Sequence, residues 1–225
     1  SELQERATRP SGRLTVTAPH ALAHTGLSTL LGQYLTLYPE VSLNLLLSSR
    51  TLDLVEEGVD LAILVGPIPD QNVIVRRLAQ LERVVVSSPA YWHTHGVPQN
   101  PRELAAHRIL NANHGGEPTR WQFNERGKTL EVALQPYVDV NDVAPLPALA
   151  AMDLGVIYVA RPLVQRQIDA GELVGALEPF IPQDLWIYAV YTQRRHNSAA
   201  LTALLAFMES EMARPGSVFS TTTTY

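Results

Sequence analysis

The chain has 225 residues, 46% hydrophobic and 17% charged, long enough to bury one large core or two smaller ones. No apolar run approaches the roughly 18 residues of a membrane span. With no cysteine, disulfides, thiolate metal sites and a cysteine nucleophile are excluded. The net charge is −5 and the basic residues, all Arg except Lys128, form no cluster, so the chain is a poor match to a polyanion.

Ser1 to Pro10 are polar and charged and read as the tail of something upstream. Leu14 to Thr17 are a β-type run, followed by Ala18, Pro19 and His20. Leu27, Leu30, Leu31, Tyr34, Leu35 and Tyr38 recur at helical spacing, and Pro39 stops that helix. Val41 to Leu47 alternates as a strand does, and a short helix over Leu52 to Glu57 ends at Gly58. Val59 to Val65, broken only by Asp60, has the pattern of a strand buried on both faces. Strands follow at Val73 to Leu78 and Arg83 to Ser87. Strand and helix alternating in this way predict parallel pairing through helical crossovers.

The pattern then restarts. Ser88 and Pro89 open a short helix closed by Gly96, with His93 and His95 at its exposed end, and Asn100, Pro101 and Glu103 mark another helix start. Strands are expected at Arg108 to Leu110, Arg120 to Phe123, Thr129 to Leu134 and Tyr137 to Val140, with a hairpin turn at Asn124 to Gly127. Asp142 is expected to cap a helix that runs to Leu154 and is ended by Gly155, although Pro145 and Pro147 blur its start. Then come a strand at Val156 to Val159, a helix at Pro162 to Ala170, and strands at Leu173 to Leu177 and Leu185 to Thr192. A helix begun at Ser198 closes the pattern, with Leu201, Leu204, Leu205 and Met208 on one face.

The expected fold is α/β: two lobes of mostly parallel sheet with flanking helices, one nested within the other, joined by two crossing strands. The expected bounds are 13–86 plus 193–213 for the first lobe and 87–192 for the second, with 1–12 as the end of a linker and 214–225 as a flexible tail. A cleft between such lobes, at the carboxyl ends of the strands, is where open α/β folds bind small ligands.

Several stretches resemble the effector domain of LysR-type transcription regulators. They are Leu14-Thr-Val-Thr-Ala-Pro, Tyr38-Pro39 with Val41 to Leu45, Asp53 to Ile63, Val84 to Tyr91, Leu154-Gly-Val-Ile, Gly171-Glu-Leu-Val and Tyr188-Ala-Val-Tyr. No one of them is specific, but their order and spacing are. Thr17 is a mild departure from the Ser-Ala-Pro-like start of the branch they resemble most. The resemblance implies a fold like the type-II periplasmic binding proteins and an N-terminal winged helix-turn-helix, not present in this chain. It also implies side-by-side pairing of sensor domains into a homo-dimer or tetramer, with the helices Gly26 to Tyr38 and Asp142 to Leu154 apolar enough to serve. DNA would be reached only through the missing domain, no membrane is involved, and the cytoplasm is the expected compartment.

Strand ends and helix starts supply the expected ligand contacts: Ala18, Pro19, His20, Ser48, Ser49, Arg50, Thr51 and Gly66 from the first lobe, and Asn113, His114 and Asn141 from the second. The expected effector is a carboxylate held by hydroxyls and backbone amides. The bland alternatives are a capping hydroxyl in the Ser48 to Thr51 turn and a solvated Arg50. Asp142 is left out, because it repels an anion. His20 and His24 have metal-pair spacing but nothing completes the set, so no metal and no cofactor is expected. His114-Gly115-Gly116 resembles an esterase oxyanion loop, yet no Gly-x-Ser-x-Gly accompanies it. Trp121 is read as core rather than as a stack for an aromatic effector. Two other functions fit the same fold, a transporter's solute-binding protein and a small-molecule enzyme. The linker-like start opposes the first, and the lack of a nucleophile, base and orienter opposes the second.

Overall fold

The computed structural model describes residues 9–48, 53–68, 72–113, 116–195, 198–217 and 219. Ser49, Arg50, Thr51, Leu52 and His114 lie outside them. The chain divides into two compact units, residues 1–80 with 185–225, and residues 81–184. The second is thus nested within the first, but the division differs from the expected lobe bounds. Residues 81–86 fall in the nested unit and 185–192 in the outer one. Hydrogen bonding gives the reason, because the strand starting at Arg83 pairs inside the nested unit and the one starting at Trp186 pairs inside the outer one.

In the outer unit β1 (Gly12–Ala18) lies between β2 (Val41–Leu47) and β3 (Leu61–Val65) and runs parallel to both. β12 (Trp186–Tyr191) then pairs antiparallel with β3 and with β4 (Ile74–Gln80), giving the order β2-β1-β3-β12-β4. Helix α1 (His20–Ala23) follows β1, and α2 (Leu27–Leu37) buries Leu27, Leu30, Leu31 and Tyr34, the stripe its spacing predicts. The Tyr34 hydroxyl donates to Ala200 O at 2.7 Å, tying α2 to α6 (Ala199–Ala213), whose N-terminus Ser198 caps. Asp60, 9% exposed, explains the interruption before β3: its Oδ2 accepts the Thr15 N–H at 2.8 Å, and its Oδ1 meets Arg195 at 3.1 Å. The expected helix before Gly58 is a turn in its described part. Asp53 Oδ1 accepts from Val55 N and Glu56 N, and Gly58 stops it in the left-handed region at φ +63°.

In the nested unit β5 (Arg83–Ser87) runs antiparallel between β10 (Ile157–Ala160) and β11 (Val174–Ala176). Its alternation feeds two cores. Val84 and Val86 enter one with Leu110, Leu146 and Val164, and Val85 enters the other with Tyr91, Leu104, Trp121 and Phe123. β6 (Ile109–Ala112) pairs parallel with β9 (Pro136–Val140), and β7 (Arg120–Glu125) forms a hairpin with β8 (Lys128–Ala133). Arg126 and Gly127 turn that hairpin with φ of +52° and +75°. α3 (Pro89–His95) begins at its Ser88 cap as the sequence predicts.

The sheets are therefore mixed rather than mostly parallel. The βαβ pattern at the start of the outer unit does not extend through the nested one, where β5, β10 and β11 return antiparallel. Helix α4 (Leu146–Ala151) is also shorter than the Asp142-to-Leu154 expectation. Asp142 Oδ1 accepts from Ala144 N at 2.9 Å in a turn of its own, and Pro145 and Pro147 supply no N–H to extend the helix backwards. At the other end Asp153 takes the left-handed conformation at φ +65°. α5 (Arg161–Asp169) follows β10 directly.

Candidate functional site

The carboxyl edge of β1, β2 and β3 collects five of the expected contacts. Parallel pairing sets Ala18 opposite Leu47, and the Ser48 N–H donates to Ala18 O at 3.0 Å, so Ser48 is fastened to the end of β1. Pro19 is extended (φ −64°, ψ 146°) and starts α1 at His20, whose Nδ1 is buried without a hydrogen-bond partner among the described residues. Leu22 N and Ala23 N both reach Pro19 O, so they are spent within the turn. Gly66 ends the third strand at φ +91°, a conformation a side chain would resist, and its N–H reaches Trp186 O at 3.4 Å. Among the described residues this edge presents short polar groups and bent backbone.

The nested unit has a smaller edge of the same kind. β6 and β9 end together, with the Asn113 N–H on Val140 O at 2.7 Å, so Asn113 and the exposed Asn141 are neighbours. Asn113 Nδ2 also donates to Glu117 O at 2.7 Å, closing the loop on itself.

Beneath this edge is a polar clasp that pattern reading missed. Asn111, 8% exposed, accepts the Trp121 indole N–H at 3.0 Å and donates to Thr119 Oγ1 and to Asp139 Oδ1. Three strands are joined by one amide, with Trp121 in the core as expected. No local signal announces it, because the partners come from separate strands. Among the described residues no three His, Asp or Glu side chains gather in a metal-holding group.

A nested two-unit α/β fold with polar groups at its strand ends is a scaffold of the class on which small-molecule-binding domains are built. Residues 7–213 match the family model described as the LysR substrate binding domain, and the chain belongs to that family. It corresponds to the effector-binding domain of LysR-type transcription regulators. An HTH-type transcriptional regulator of Xanthomonas campestris pv. campestris is 28% identical over 207 residues, covering 90% of this chain and 60% of that protein. The chain thus spans less than two thirds of that relative's length. YhjC, an HTH-type transcriptional regulator of Escherichia coli, is 28% identical over 211 residues, 93% of this chain and 71% of its own. Among solved structures, CrgA, a LysR-type regulator from Neisseria meningitidis, superposes with a TM-score of 0.82 at 25% identity, covering 95% of this chain and 76% of CrgA. The isolated CrgA regulatory domain gives 0.78 at 26% identity, with 90% and 99% covered.

Proposed function

We propose that the chain senses a small carboxylate and transmits its occupancy to a DNA-binding domain outside this sequence. The observation that carries the reading is the Ser48–Ala18 bond, which holds Ser48 beside the end of β1, where Pro19 and His20 follow. Ser49, Arg50 and Thr51 follow Ser48 in the sequence and are the proposed anchor for the carboxylate. Asn113, His114 and Asn141 are the proposed contacts of the nested unit, and Gly66 lets backbone approach the ligand closely. The protein is proposed to act in the cytoplasm, without catalysis, and as a homo-dimer or tetramer. No helix among the described residues is long and apolar enough to cross a membrane.

A ligand shifts such a sensor only by its difference in affinity for two states, so binding must come first. Thermal unfolding against small carboxylates, aromatic acids, amino acids and sugars tests it. A carboxylate at about 100 times its Kd should add roughly 2.7 kcal/mol, or about 5–10 °C in Tm. That shift should vanish in Ser48→Tyr and Arg50→Ala. A shift indifferent to both variants sinks the placement, and a response to sugars alone sinks the carboxylate.

A further inference from the structure

Where the chain leaves α6 and turns back beside α2, the outer unit holds an open cavity of about 300 Å³. Thr29, Leu30 and Gln33 line it from the first half of α2, and Glu211, Arg214 and Phe219 from the end of α6 and the segment after it. The turn that brings them together is local: Pro215 offers no N–H, Gly216 takes φ +81°, and the Ser217 N–H donates to Arg214 O at 3.0 Å. The cavity shares no residue with the carboxyl edges described above.

Its lining has an apolar side and a polar one. Leu30 and Phe219 are 5% and 4% exposed, carbon surface against which a ligand's apolar body can displace water. Thr29 and Gln33 are exposed, and their spacing of four puts them on one face of α2. Among the described residues neither side chain has a hydrogen-bond partner, so the hydroxyl and both ends of the carboxamide are open to a ligand. The formal charges in the lining belong to Glu211 and Arg214, which pair with each other.

These groups discriminate by charge. An anion would have to draw Arg214 away from Glu211, and a cation would have to draw Glu211 away from Arg214. An uncharged group that both donates and accepts matches Gln33, whose carboxamide carries two N–H donors and a carbonyl acceptor, and leaves the Thr29 hydroxyl for a further bond. Another amide answers that description. The volume, that of about ten water molecules, admits a ring bearing one such group.

We propose that this cavity binds a small uncharged amide with an apolar ring, the amide on Gln33 and Thr29 and the ring against Leu30 and Phe219. This site is independent of the carboxylate sensor proposed for the strand edges.

NMR titration of the whole chain with benzamide, sodium benzoate and benzylamine hydrochloride, which share a ring and differ in charge, tests it. The Ser48→Tyr chain, blocked at the strand edge, should bind benzamide as the wild type does, with benzoate and benzylammonium about tenfold weaker or worse. Gln33→Leu, at an exposed position, should fold normally and weaken benzamide by about tenfold. Phe219→Ala, which removes the apolar wall, should weaken it as well while keeping the preference for the uncharged ligand. Benzoate binding as tightly as benzamide in the Ser48→Tyr chain, with Gln33→Leu silent, would overturn the proposal. The absence of shifts with benzamide at about 10 mM would overturn it too, because a well-matched ligand of that size binds more tightly. Benzamide binding lost in Ser48→Tyr but kept in Gln33→Leu would assign the amide to the strand edge instead.

Discussion

The Tyr91 hydroxyl accepts the Arg108 backbone N–H at 3.0 Å and lies 3.0 Å from His107 Nδ1. A neutral imidazole with its proton on Nε2 lets the hydroxyl donate to Nδ1. His95 stacks on the other part of the cluster, 4.1 Å from the Tyr91 ring, with Nδ1 3.2 Å from Tyr91 O. Burial pushes the His107 pKa below its ordinary 6.5, the His95 charge lowers it further, and Glu103 works weakly against both. The unfolded chain therefore binds the proton more readily than the folded one. The stability that neutral His107 contributes is complete above pH 6.5 and is lost as pH falls through the folded value below it. Between about pH 7.5 and 5.5 the Tm of the wild type should fall more steeply than that of His107→Gln, whose amide oxygen can accept the same proton. Parallel pH profiles for the two proteins would remove His107 from the account.

At the scale of elements, Gly155 shows how much depends on one missing methyl. It precedes Val156, whose N–H bonds Arg108 O at 2.8 Å, while Ser87 Oγ donates to Gly155 O at 2.6 Å. A Cβ at Gly155 would lie 2.4 Å from Arg108 O, so β6 cannot stay where it is beside an alanine. Gly155→Ala should destabilise the protein by about 1–3 kcal/mol, read as a lower urea midpoint with unchanged slope. A midpoint equal to wild type would contradict that close approach. The sequence shows Gly155 but suggests a helix stop, because a glycine after an apolar helical stripe is the usual stop signal and the distant Arg108 is invisible. Local chemistry was legible elsewhere: Pro39 ends α2, Ser88 and Ser198 cap their helices, and Arg126-Gly127 turns the hairpin. Strand direction was not, because alternation marks a strand without saying which neighbour it takes. The same limit applies to the sites. Ser48 beside Ala18 follows from strand order, whereas Asn111 with Trp121 requires the folded chain.

For the molecule as a whole, the proposed pairing has two exposed apolar groups at hand, Leu37 at the end of α2 (61% exposed) and Met152 after α4 (69%). Groups of that kind are common singly on monomers, so they permit an interface without demanding one. Light scattering at about 10 μM should give twice the chain mass or more, and Leu37→Glu should lower it. A monomer at that concentration would end the pairing proposal for this chain alone.

The position of β12 between β3 and β4 has a consequence for synthesis. Translation delivers all of residues 81–184 before it delivers Trp186. The nested unit can therefore complete both its cores while the outer sheet still lacks the strand that joins β3 to β4, and while Tyr34 still lacks the carbonyl of Ala200. Until then β3 and β4 each expose an unpaired edge, the kind of surface that invites another chain. The outer unit, first to start, is the last to close.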